Sequence, residues 1–572
     1  MKDHYKKAIE EIHINFPNII ATNKDGCLLL EGELDKWDDI VRVGYLAAKA
    51  KSEGVINNIK LKDYVPIPMR ISSTKDNAYD GLKCDVLIIG GGIVGAAILR
   101  EFSKYEIDAC LIEKENDVAL HASSRNDGCI HVGMDLSRKT KKHHYLRRAV
   151  EGYEQLANDL GVDYVKHGQT LVFTNRIAYL AMPYLLSSAR KKGIIGARLI
   201  GRRELLKREP NISKNAKFAV FFPEGAVISP YNMVVALAEN AIENGGRVFL
   251  DTAALGFDMK DHQIIAVRTN RGVIYPRVVI NAAGVFSDVV ARMADDQFFT
   301  IHPRRGVEII LDKKAARKAV NSTLSFYFGN SDKKAHTKGG GIIPTADGNI
   351  VVGPTASEAP ERENYETSKE EIDSLFNKHR VTLPTLARGD VITYFAGIRA
   401  STYEEDFIVR RGKWTKNIIH AAGIQSPGLT AAPAIAEDIV KIYEEVIGGK
   451  LSRKIDFNPV RQRQKLLKDL AEDKRDLLIK TNPDYGQIVC RCEEISKGEI
   501  IDALNRPLPV NTTDGIKRRI RAGMGRCQGG FCQQLIVQIM AEEQKVSLCE
   551  IKKKGSAHIL LCDNKEGDDE KL

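Results

Sequence analysis

Residues 84–95, CDVLIIGGGIVG, decide the fold of the central part of this 572-residue chain. Their apolar first half predicts a buried parallel strand, and the following AAILREFSKY predicts a helix. The next apolar run, ACLIEK, predicts a second strand that leads into Glu113. A strand, a glycine turn, a helix and a strand that ends in an acidic residue together predict a dinucleotide-binding unit of the Rossmann type.

The three glycines of this turn have different tasks in such a unit. Gly90 makes the tight turn, Gly92 lets the backbone approach a pyrophosphate, and Gly95 lets the helix pack against the strand. The first helical turn adds backbone amides and the positive end of the helix dipole. We expect Glu113 to accept hydrogen bonds from the ribose hydroxyls, which disfavours a 2′-phosphate, and we expect Lys114 to lie in the same site.

The segment 121–134, HASSRNDGCIHVGM, indicates which dinucleotide is bound. Its small polar residues can wrap the pyrophosphate and the ring of a flavin, so we predict FAD. The residues of this segment that we expect to contact FAD are Ser123, Ser124, Arg125, Asn126, Gly128 and Ile130.

This segment resembles the pattern S-x-R-N-x-G-x-I-H-x-G of the FAD-dependent oxidoreductases of the D-amino-acid oxidase superfamily. Within that superfamily it is most similar to the branch of the anaerobic glycerol-3-phosphate dehydrogenases and the 2-hydroxyglutarate dehydrogenases. The resemblance, which covers about residues 83–446, includes RVVINAAG (277–284), HPRRG (302–306), KGGGIIPT (338–345), NIVVGPT (349–355), FAGIR (395–399) and AGIQSPGLTAAPAIA (422–436). It implies a Rossmann-type FAD domain with an inserted mixed-sheet substrate domain, mainly over residues 165–400.

The resemblance also implies further site residues. Amides of the last block would lie against the flavin pyrimidine oxygen, where negative charge builds on reduction. The cofactor contacts implied are Val172, Gly284, Gly397, Gly423, Gly428, Leu429 and Thr430. The family places Arg399 over the flavin, where its guanidinium could bind a substrate carboxylate or phosphate in bidentate geometry.

Oxidation of a secondary alcohol by hydride transfer to a flavin needs a base for the hydroxyl proton. The candidates are His131, His302, His336 and Lys338. His131 resembles the histidine beside the flavin ring in the family. It could be a base, a covalent attachment point or a packing residue, and we expect a noncovalent flavin contact.

One departure from the family concerns the substrate segment. Relatives often carry an aromatic residue soon after the Arg-Gly pair, whereas here Arg305 and Gly306 are followed by Val307 and Glu308. A carboxylate that faces the pocket would repel an anionic substrate. Strand alternation also permits Glu308 to point away from it.

Four cysteines near the C-terminus predict a metal centre. Cys490-x-Cys492 is followed, after 34 intervening residues, by Cys527-x4-Cys532. Four thiolates satisfy one two-iron two-sulfur cluster, and zinc is the competing interpretation. The flanking IVCRCEEISKGEI and RAGMGRCQGGFC resemble the bacterioferritin-associated ferredoxin-like domain, which implies a compact helical fold that binds a [2Fe-2S] cluster. We expect the neighbouring basic run, which extends from Lys517 to Arg526, to offset the cluster charge, to dock an acidic carrier or only to be solvated.

The chain divides into parts of different pattern. The first is a small α+β module in which strands over 27–33 and 55–61 flank a helix over 36–52. This module resembles the BON domain. The predicted order is this module with a linker (1–80), the FAD domain with the inserted substrate domain (81–450), a helical connector (451–484), and the iron–sulfur domain with a charged tail (485–572).

The bulk properties exclude several classes of protein. With 43% hydrophobic and 28% charged residues, the composition is that of a soluble globular protein. No apolar run approaches the roughly 20 residues of a membrane span, and the charged N-terminus has no signal core, so we predict a cytoplasmic protein, with peripheral membrane association left open. The net charge of +10 suits anionic substrates or an acidic partner. Nucleic acid is not expected, because aromatic residues do not alternate with the basic clusters.

These features predict a dehydrogenase that oxidises sn-glycerol 3-phosphate, or a similar small anionic hydroxy compound, and passes single electrons through the cluster. The alternatives are an L-2-hydroxyglutarate-type dehydrogenase, an amine or amino-acid dehydrogenase, and an electron-relay or redox-sensing protein without its own substrate. Related systems imply a protein electron acceptor, either a companion flavoprotein or a quinone-linked subunit, and hence a complex or a homo-oligomer.

Overall fold

The computed structural model describes residues 2–316, 320–326, 340–464 and 466–560. It confirms the predicted fold class, with a Rossmann-type domain, a mixed-sheet substrate domain, a small α+β N-terminal module and a small helical C-terminal domain. Among the helices of the described ranges, none has both the length and the apolar character that crossing a bilayer requires.

The Rossmann-type domain is built on an eight-stranded sheet. Its central strand Leu82–Ile89, whose last four residues are all buried, runs parallel to Ala109–Ile112 on one side and to Gly272–Asn281 on the other. The other strands are Arg247–Phe249, Ala254–Lys260, Gln263–Thr269, Ile408–Arg411 and Ile418–Ala422. The α-helices of the domain are Ile93–Phe102, Lys141–Asp159, Pro230–Glu243, Ser287–Met293 and Gly428–Ile447.

The substrate domain contains a nine-stranded mixed sheet. The strands are Gln169–Phe173, Arg198–Gly201, Phe218–Phe222, Ile301–Leu311, Thr323–Phe326, Gly341–Pro344, Ile350–Gly353, Ser357–Glu358 and Val391–Thr402. Its α-helices are Met182–Lys191, Arg202–Arg208, Lys313–Ala316 and Lys369–Arg380. The sheet draws on two separate stretches of chain, because Pro230–Glu243 and the strands after it return to the Rossmann-type domain. A small sheet of Cys129–Ile130, Tyr164–Val165 and Ala226–Ile228 joins the two domains.

The N-terminal module comprises residues 2–61 and has a parallel β-α-β core. The predicted elements form as Cys27–Glu31, Trp37–Ala48 and Val55–Asn57, and the two strands are parallel. The sequence pattern missed the helix Lys2–Asn15 and the antiparallel strand Ile20–Lys24, and a short parallel pair, Glu33–Leu34 with Lys60–Leu61, completes the module. Residues 62–81, all of them described, contain no helix or strand, as expected of a linker.

The C-terminal part begins with a connector, whose described residues form the helix Glu472–Thr481, a short 3-10 turn, Leu467–Asp469, and the start of another, Pro483–Gly486. The described residues before the first of these turns, from 451 on, form no helix or strand and are fastened to the Rossmann-type domain, for example by the Arg461–Glu239 ion pair at 2.6 Å. The iron–sulfur domain has the α-helices Lys497–Leu504, Thr513–Ile520 and Gln533–Gln544 and the β-hairpins Ile488–Cys490 with Ile495–Ser496 and Lys552–Lys554 with Ala557–His558.

Candidate active site and metal centre

The glycine turn has the close contacts that its sequence predicts. Gly90 has a φ of +112°, and a Cβ atom at Gly95 would lie 1.9 Å from the Gly90 carbonyl oxygen. Only glycine at position 95 therefore lets the helix pack this closely on the turn. The helix begins at Ile93, whose amide donates to Ser123 Oγ at 2.9 Å. The segment 121–131 thus lies against the helix N-terminus, where the pyrophosphate of a dinucleotide would bind.

Glu113 closes the same end of the sheet. Its Oε2 accepts a hydrogen bond from the Gly91 amide at 2.6 Å, and its Oε1 accepts one from the Glu115 amide at 3.0 Å. The side chain is buried, and burial raises its pKa. The Lys114 Nζ atom lies 2.7 Å from Glu363 Oε1 and 2.8 Å from Glu115 Oε1, and Glu115 Oε1 is 3.0 Å from His121 Nε2 of the segment 121–131.

The segment 121–131, which we call the flavin loop, is folded on itself and on the substrate sheet. Arg125 donates to the Ala396 carbonyl at 3.3 Å, and its guanidinium lies 4.2 Å from the centre of the Tyr365 ring. Asn126 Nδ2 donates to the Ser123 carbonyl at 2.9 Å. A Cβ atom at Gly397 would lie 2.2 Å from the Arg125 carbonyl oxygen, so the loop packs directly on this face of the sheet. The other residues of the loop that are predicted to contact FAD are Ser124, Gly128 and Ile130. Ser124 lies in a 3-10 turn, Gly128 has a left-handed backbone with a φ of +70°, and Ile130 lies in the short strand just before His131.

The start of the helix Gly428–Ile447 meets the flavin loop at His131. The His131 amide donates to Thr430 Oγ1 at 3.2 Å, and its Nε2 lies 3.3 Å from Ser426 Oγ. The structure therefore brings His131 close to Gly423, Gly428, Leu429 and Thr430, the residues whose backbone amides are predicted to face the flavin and which we call the amide cradle. Two more predicted cofactor residues of this region have left-handed backbones, Gly423 with φ +65° and Gly284 with φ +55°, and the predicted Leu429 follows Gly428 in the first helical turn.

Arg399 and Glu308 lie on the same face of the substrate sheet. The register of Ile301–Leu311 with Val391–Thr402 pairs Gly306 with Gly397 and Glu308 with Phe395, so these side-chain positions and Arg399 share one face. A Cβ atom at Gly306 would lie 2.7 Å from Arg399 Nη2, so the glycine makes room for the guanidinium. The Glu308 side chain therefore does not point to the face opposite Arg399, the orientation that would have kept its carboxylate away from an anionic substrate.

The surroundings of Glu308 bear on whether its carboxyl would repel an anionic substrate. Glu308 is buried, and its Oε2 has no hydrogen-bond partner among the described residues. Burial raises the pKa of Glu308 well above its usual range, Asp127 raises it further and Arg399 opposes the shift. The raised pKa favours the uncharged carboxyl, the form that does not repel an anion. Arg399 Nη1 donates a long hydrogen bond, 3.5 Å, to the Thr355 carbonyl oxygen.

His302 and Val172 lie elsewhere in the substrate sheet. His302 is completely buried, with Nδ1 2.8 Å from Glu358 Oε2 and Nε2 3.4 Å from the Tyr45 hydroxyl of the N-terminal module. The Val172 side chain belongs to the apolar core of the substrate domain. His336 and Lys338 lie outside the described residues.

The four cysteines come together as two pairs. Cys492 Sγ lies 3.6 Å from Cys527 Sγ, and the Cys490 thiol is hydrogen-bonded with that of Cys532. Within the part of the chain that the structure describes, no three of these sulfurs lie within 4.8 Å of one another. A single tetrahedral zinc would hold all four sulfurs about 3.8 Å apart, since Zn–S bonds are about 2.3 Å. Two pairs suit two irons, each with two thiolates.

Backbone amides point at the sulfurs. The Gly523 amide donates to Cys490 Sγ at 3.4 Å, and the amides of Gly529 and Gly530 donate to Cys527. Although burial opposes it, these amides help to lower the pKa of the Cys527 thiol. Cys490 and Cys532 are buried, whereas Cys492 is exposed and Cys527 is half-buried. The donor set therefore fits a [2Fe-2S] cluster that has one covered and one accessible side.

Part of the basic run fastens the iron–sulfur domain to the rest of the chain. Arg519 forms a bidentate pair with Asp117 at 2.7 and 3.0 Å, and it also donates to the Tyr231 hydroxyl at 2.7 Å. Arg521 donates to Glu493 at 2.8 Å and to Asn349 of the substrate domain at 2.7 Å. Asp117, Tyr231 and Asn349 were missed from the sequence, because nothing near them indicates a partner hundreds of residues away.

The fold and both sites define the class of protein. Residues 85–442 match the FAD dependent oxidoreductase family, and residues 488–542 match the BFD-like [2Fe-2S] binding domain. The chain belongs to the FAD dependent oxidoreductase family, and it is an FAD-dependent dehydrogenase that also carries a [2Fe-2S] domain. Both predicted cofactors, FAD and the cluster, are confirmed.

Individual relatives define the branch. Glycerol 3-phosphate dehydrogenase of Caloramator mitchellensis is 35% identical over 479 residues, which cover 83% of this chain and 98% of that protein. One subunit of the anaerobic glycerol-3-phosphate dehydrogenase of Haemophilus influenzae is 25% identical over 502 residues, which cover 79% of this chain and 83% of that relative. The FAD-bound L-alpha-glycerophosphate oxidase of Mycoplasma pneumoniae superimposes with a TM-score of 0.62 at 25% identity, covering 67% of this chain and 100% of its own.

Proposed function

We propose that this enzyme oxidises sn-glycerol 3-phosphate to the ketone. The observation that carries the proposal is Arg399, a guanidinium within the protein on the sheet face that the flavin loop covers. The relative that is 35% identical over 83% of the chain is a glycerol 3-phosphate dehydrogenase. FAD, when bound, supplies the two-electron acceptor, and the cluster supplies a one-electron carrier toward a partner.

Arg399 is proposed to bind the substrate phosphate. Burial lowers its pKa and Glu308 opposes the shift, but a guanidinium remains charged at all working pH values. Its planar fork can donate two parallel hydrogen bonds to phosphate oxygens. In the protonated form that its raised pKa favours, the Glu308 carboxyl beside it can donate a hydrogen bond without opposing the negative charge.

His131 is proposed to accept the hydroxyl proton. It lies at the junction of the flavin loop and the helix Gly428–Ile447, and its Nε2 is 3.3 Å from Ser426 Oγ. That contact and the bond of its amide to Thr430 fix the imidazole beside the predicted cradle. His302 is less suited to this role, because both its ring nitrogens already face other side chains.

The acceptor is proposed to be a companion flavoprotein or a quinone-linked subunit that approaches the accessible side of the cluster. That side contains exposed Cys492 and half-buried Cys527. Phe531, between two ligands in sequence, is 84% exposed, which is unusual for a large apolar side chain unless a partner covers it. The Haemophilus influenzae relative is by name one subunit of an enzyme, which supports a complex.

An anaerobic titration tests the substrate. Flavin absorbance should bleach with glycerol 3-phosphate and not with L-2-hydroxyglutarate or amino acids. Arg399→Met should raise the substrate concentration for the half-maximal rate of flavin reduction about 30- to 160-fold, since a charged hydrogen-bonded contact contributes about 2–3 kcal/mol. Arg305→Met is the matched control, because Arg305 is the neighbour of Gly306 on the opposite face and pairs with Glu371. Bleaching only by hydroxyglutarate or by an amino acid would refute the proposal.

A further inference from the structure

The N-terminal module fits against the other domains at two glycines. A Cβ atom at Gly44 would lie 2.2 Å from the ring of Tyr403, and one at Gly54 would lie 2.0 Å from the Phe298 carbonyl oxygen. Real Cβ atoms do not come so close to other atoms, so the module packs here because both residues are glycine. Asn57 Nδ2 also donates to the Tyr403 hydroxyl at 2.9 Å. This is a close-packed seam between parts of one folded unit.

Tyr45 extends the module into a partly buried charge network. Its hydroxyl donates to Glu405 Oε1 at 2.7 Å and accepts a hydrogen bond from Arg304. Arg304 donates to the same Oε1 at 2.7 Å, and Lys142 Nζ lies 3.4 Å from Glu405 Oε2. Burial opposes ionisation of Glu405, but Arg304 and Lys142 lower its pKa to about 2. Glu405 is therefore a carboxylate that several donors hold in place.

Glu405 in turn fixes Gln425, in the loop before the last helix of the Rossmann-type domain. Gln425 Nε2 donates to Glu405 Oε2 at 2.6 Å. The backbone of Gln425 shapes the loop, because its amide donates to the Gly423 carbonyl at 3.0 Å and its carbonyl accepts from the Gly428 amide at 2.7 Å. Gly423 and Gly428 belong to the predicted amide cradle of the flavin. The contacts from Tyr45 thus end at the cofactor site.

We propose that Tyr45 of the N-terminal module is a positioning residue of the flavin site, which acts through Glu405 and Gln425 on the loop that contains Gly423 and Gly428. The module is accordingly part of the catalytic unit. Because the contacts lead to the FAD site, the role holds whichever substrate the enzyme oxidises.

The expected effect is on the cofactor. Without the Tyr45 hydroxyl, Glu405 loses one of its donors and Gln425 is held less firmly. The loop amides would then stabilise the negative charge of the reduced cofactor less well. If that stabilisation falls about tenfold, the midpoint potential of the two-electron couple falls by about 30 mV.

The experiment compares Tyr45→Phe with Tyr403→Phe in the full-length holoenzyme. Each variant removes one hydroxyl from the same seam, but the Tyr403 hydroxyl bonds to Asn57 rather than to Glu405. The midpoint potential of bound FAD is measured by reductive titration with dithionite, without substrate. We expect a potential about 30 mV more negative for Tyr45→Phe and the wild-type potential for Tyr403→Phe. Adding Glu405→Gln to Tyr45→Phe should give the shift of Glu405→Gln alone, because both changes act on one path.

A wild-type potential in a folded Tyr45→Phe enzyme, or an equal shift in Tyr403→Phe, would overturn the proposal. If Tyr45→Phe does not fold, the midpoint potential of Glu405→Gln is measured instead, and an unchanged potential in that variant would also overturn the proposal. A wild-type enzyme that glycerol 3-phosphate does not reduce would instead refute the proposed substrate and leave this measurement unaffected.

Discussion

Replacing Asp117 by Asn should weaken the attachment of the iron–sulfur domain. Asp117 and Arg519 are both 4% exposed and form two hydrogen bonds, at 2.7 and 3.0 Å. Burial lowers the pKa of Arg519, but Asp117 and Tyr231 raise it by more, so the guanidinium is charged. The variant leaves that charge buried without a counter-ion, which typically destabilises by about 3–5 kcal/mol.

Thermal unfolding followed at two wavelengths measures this effect. Cluster absorbance reports on the iron–sulfur domain and flavin fluorescence on the Rossmann-type domain. In Asp117→Asn we expect the cluster signal to be lost at a lower temperature than the flavin signal. The control is Arg526→Met, because Arg526 is 63% exposed and its pair with Asp312 should contribute less than about 1 kcal/mol. If the two variants unfold alike, the buried pair does not hold the domain.

Three further predictions concern single groups. Glu308→Gln should remove a pH dependence of the protein's stability. The raised pKa of Glu308 in the folded state stabilises the protein fully below the unfolded pKa of about 4.3, and this stabilisation is lost as the pH rises. The melting temperature of the variant should therefore exceed that of the wild type by more at pH 8 than at pH 5. Cys527→Ser should abolish cluster absorbance and leave FAD bound, because the two sites lie in different domains. His131→Asn should slow anaerobic flavin reduction by substrate about 10²-fold or more, measured by stopped flow, without loss of FAD.

Each of these has a contrary result. An equal gain in melting temperature for Glu308→Gln at both pH values would mean that the carboxyl titrates normally. Loss of both cofactors from Cys527→Ser would mean that the domains are not independent. Wild-type reduction by His131→Asn would assign the proton transfer to another group.

The sequence was sufficient where the chemistry is local. The strand, the glycines, Glu113 and each of the two cysteine pairs follow from spacing over a few residues, and they occupy the predicted elements. The orientation of Glu308 was not predictable, because it depends on the register with a strand about 90 residues away. The role of Tyr45 was hidden for the same reason, since Glu405 is 360 positions from it.

The order of elements along the chain has a consequence for biosynthesis. The strand Leu82–Ile89 needs Gly272–Asn281 beside it, that strand needs Ile418–Ala422, and the N-terminal module docks on Tyr403. At 5–20 residues per second, a ribosome takes roughly 20–80 s to reach these last partners. Until then the strand Gly272–Asn281 lacks its neighbour Ile418–Ala422 on the nascent chain. Chaperones that shield such strands should therefore raise the yield of active enzyme during translation more than they do after it.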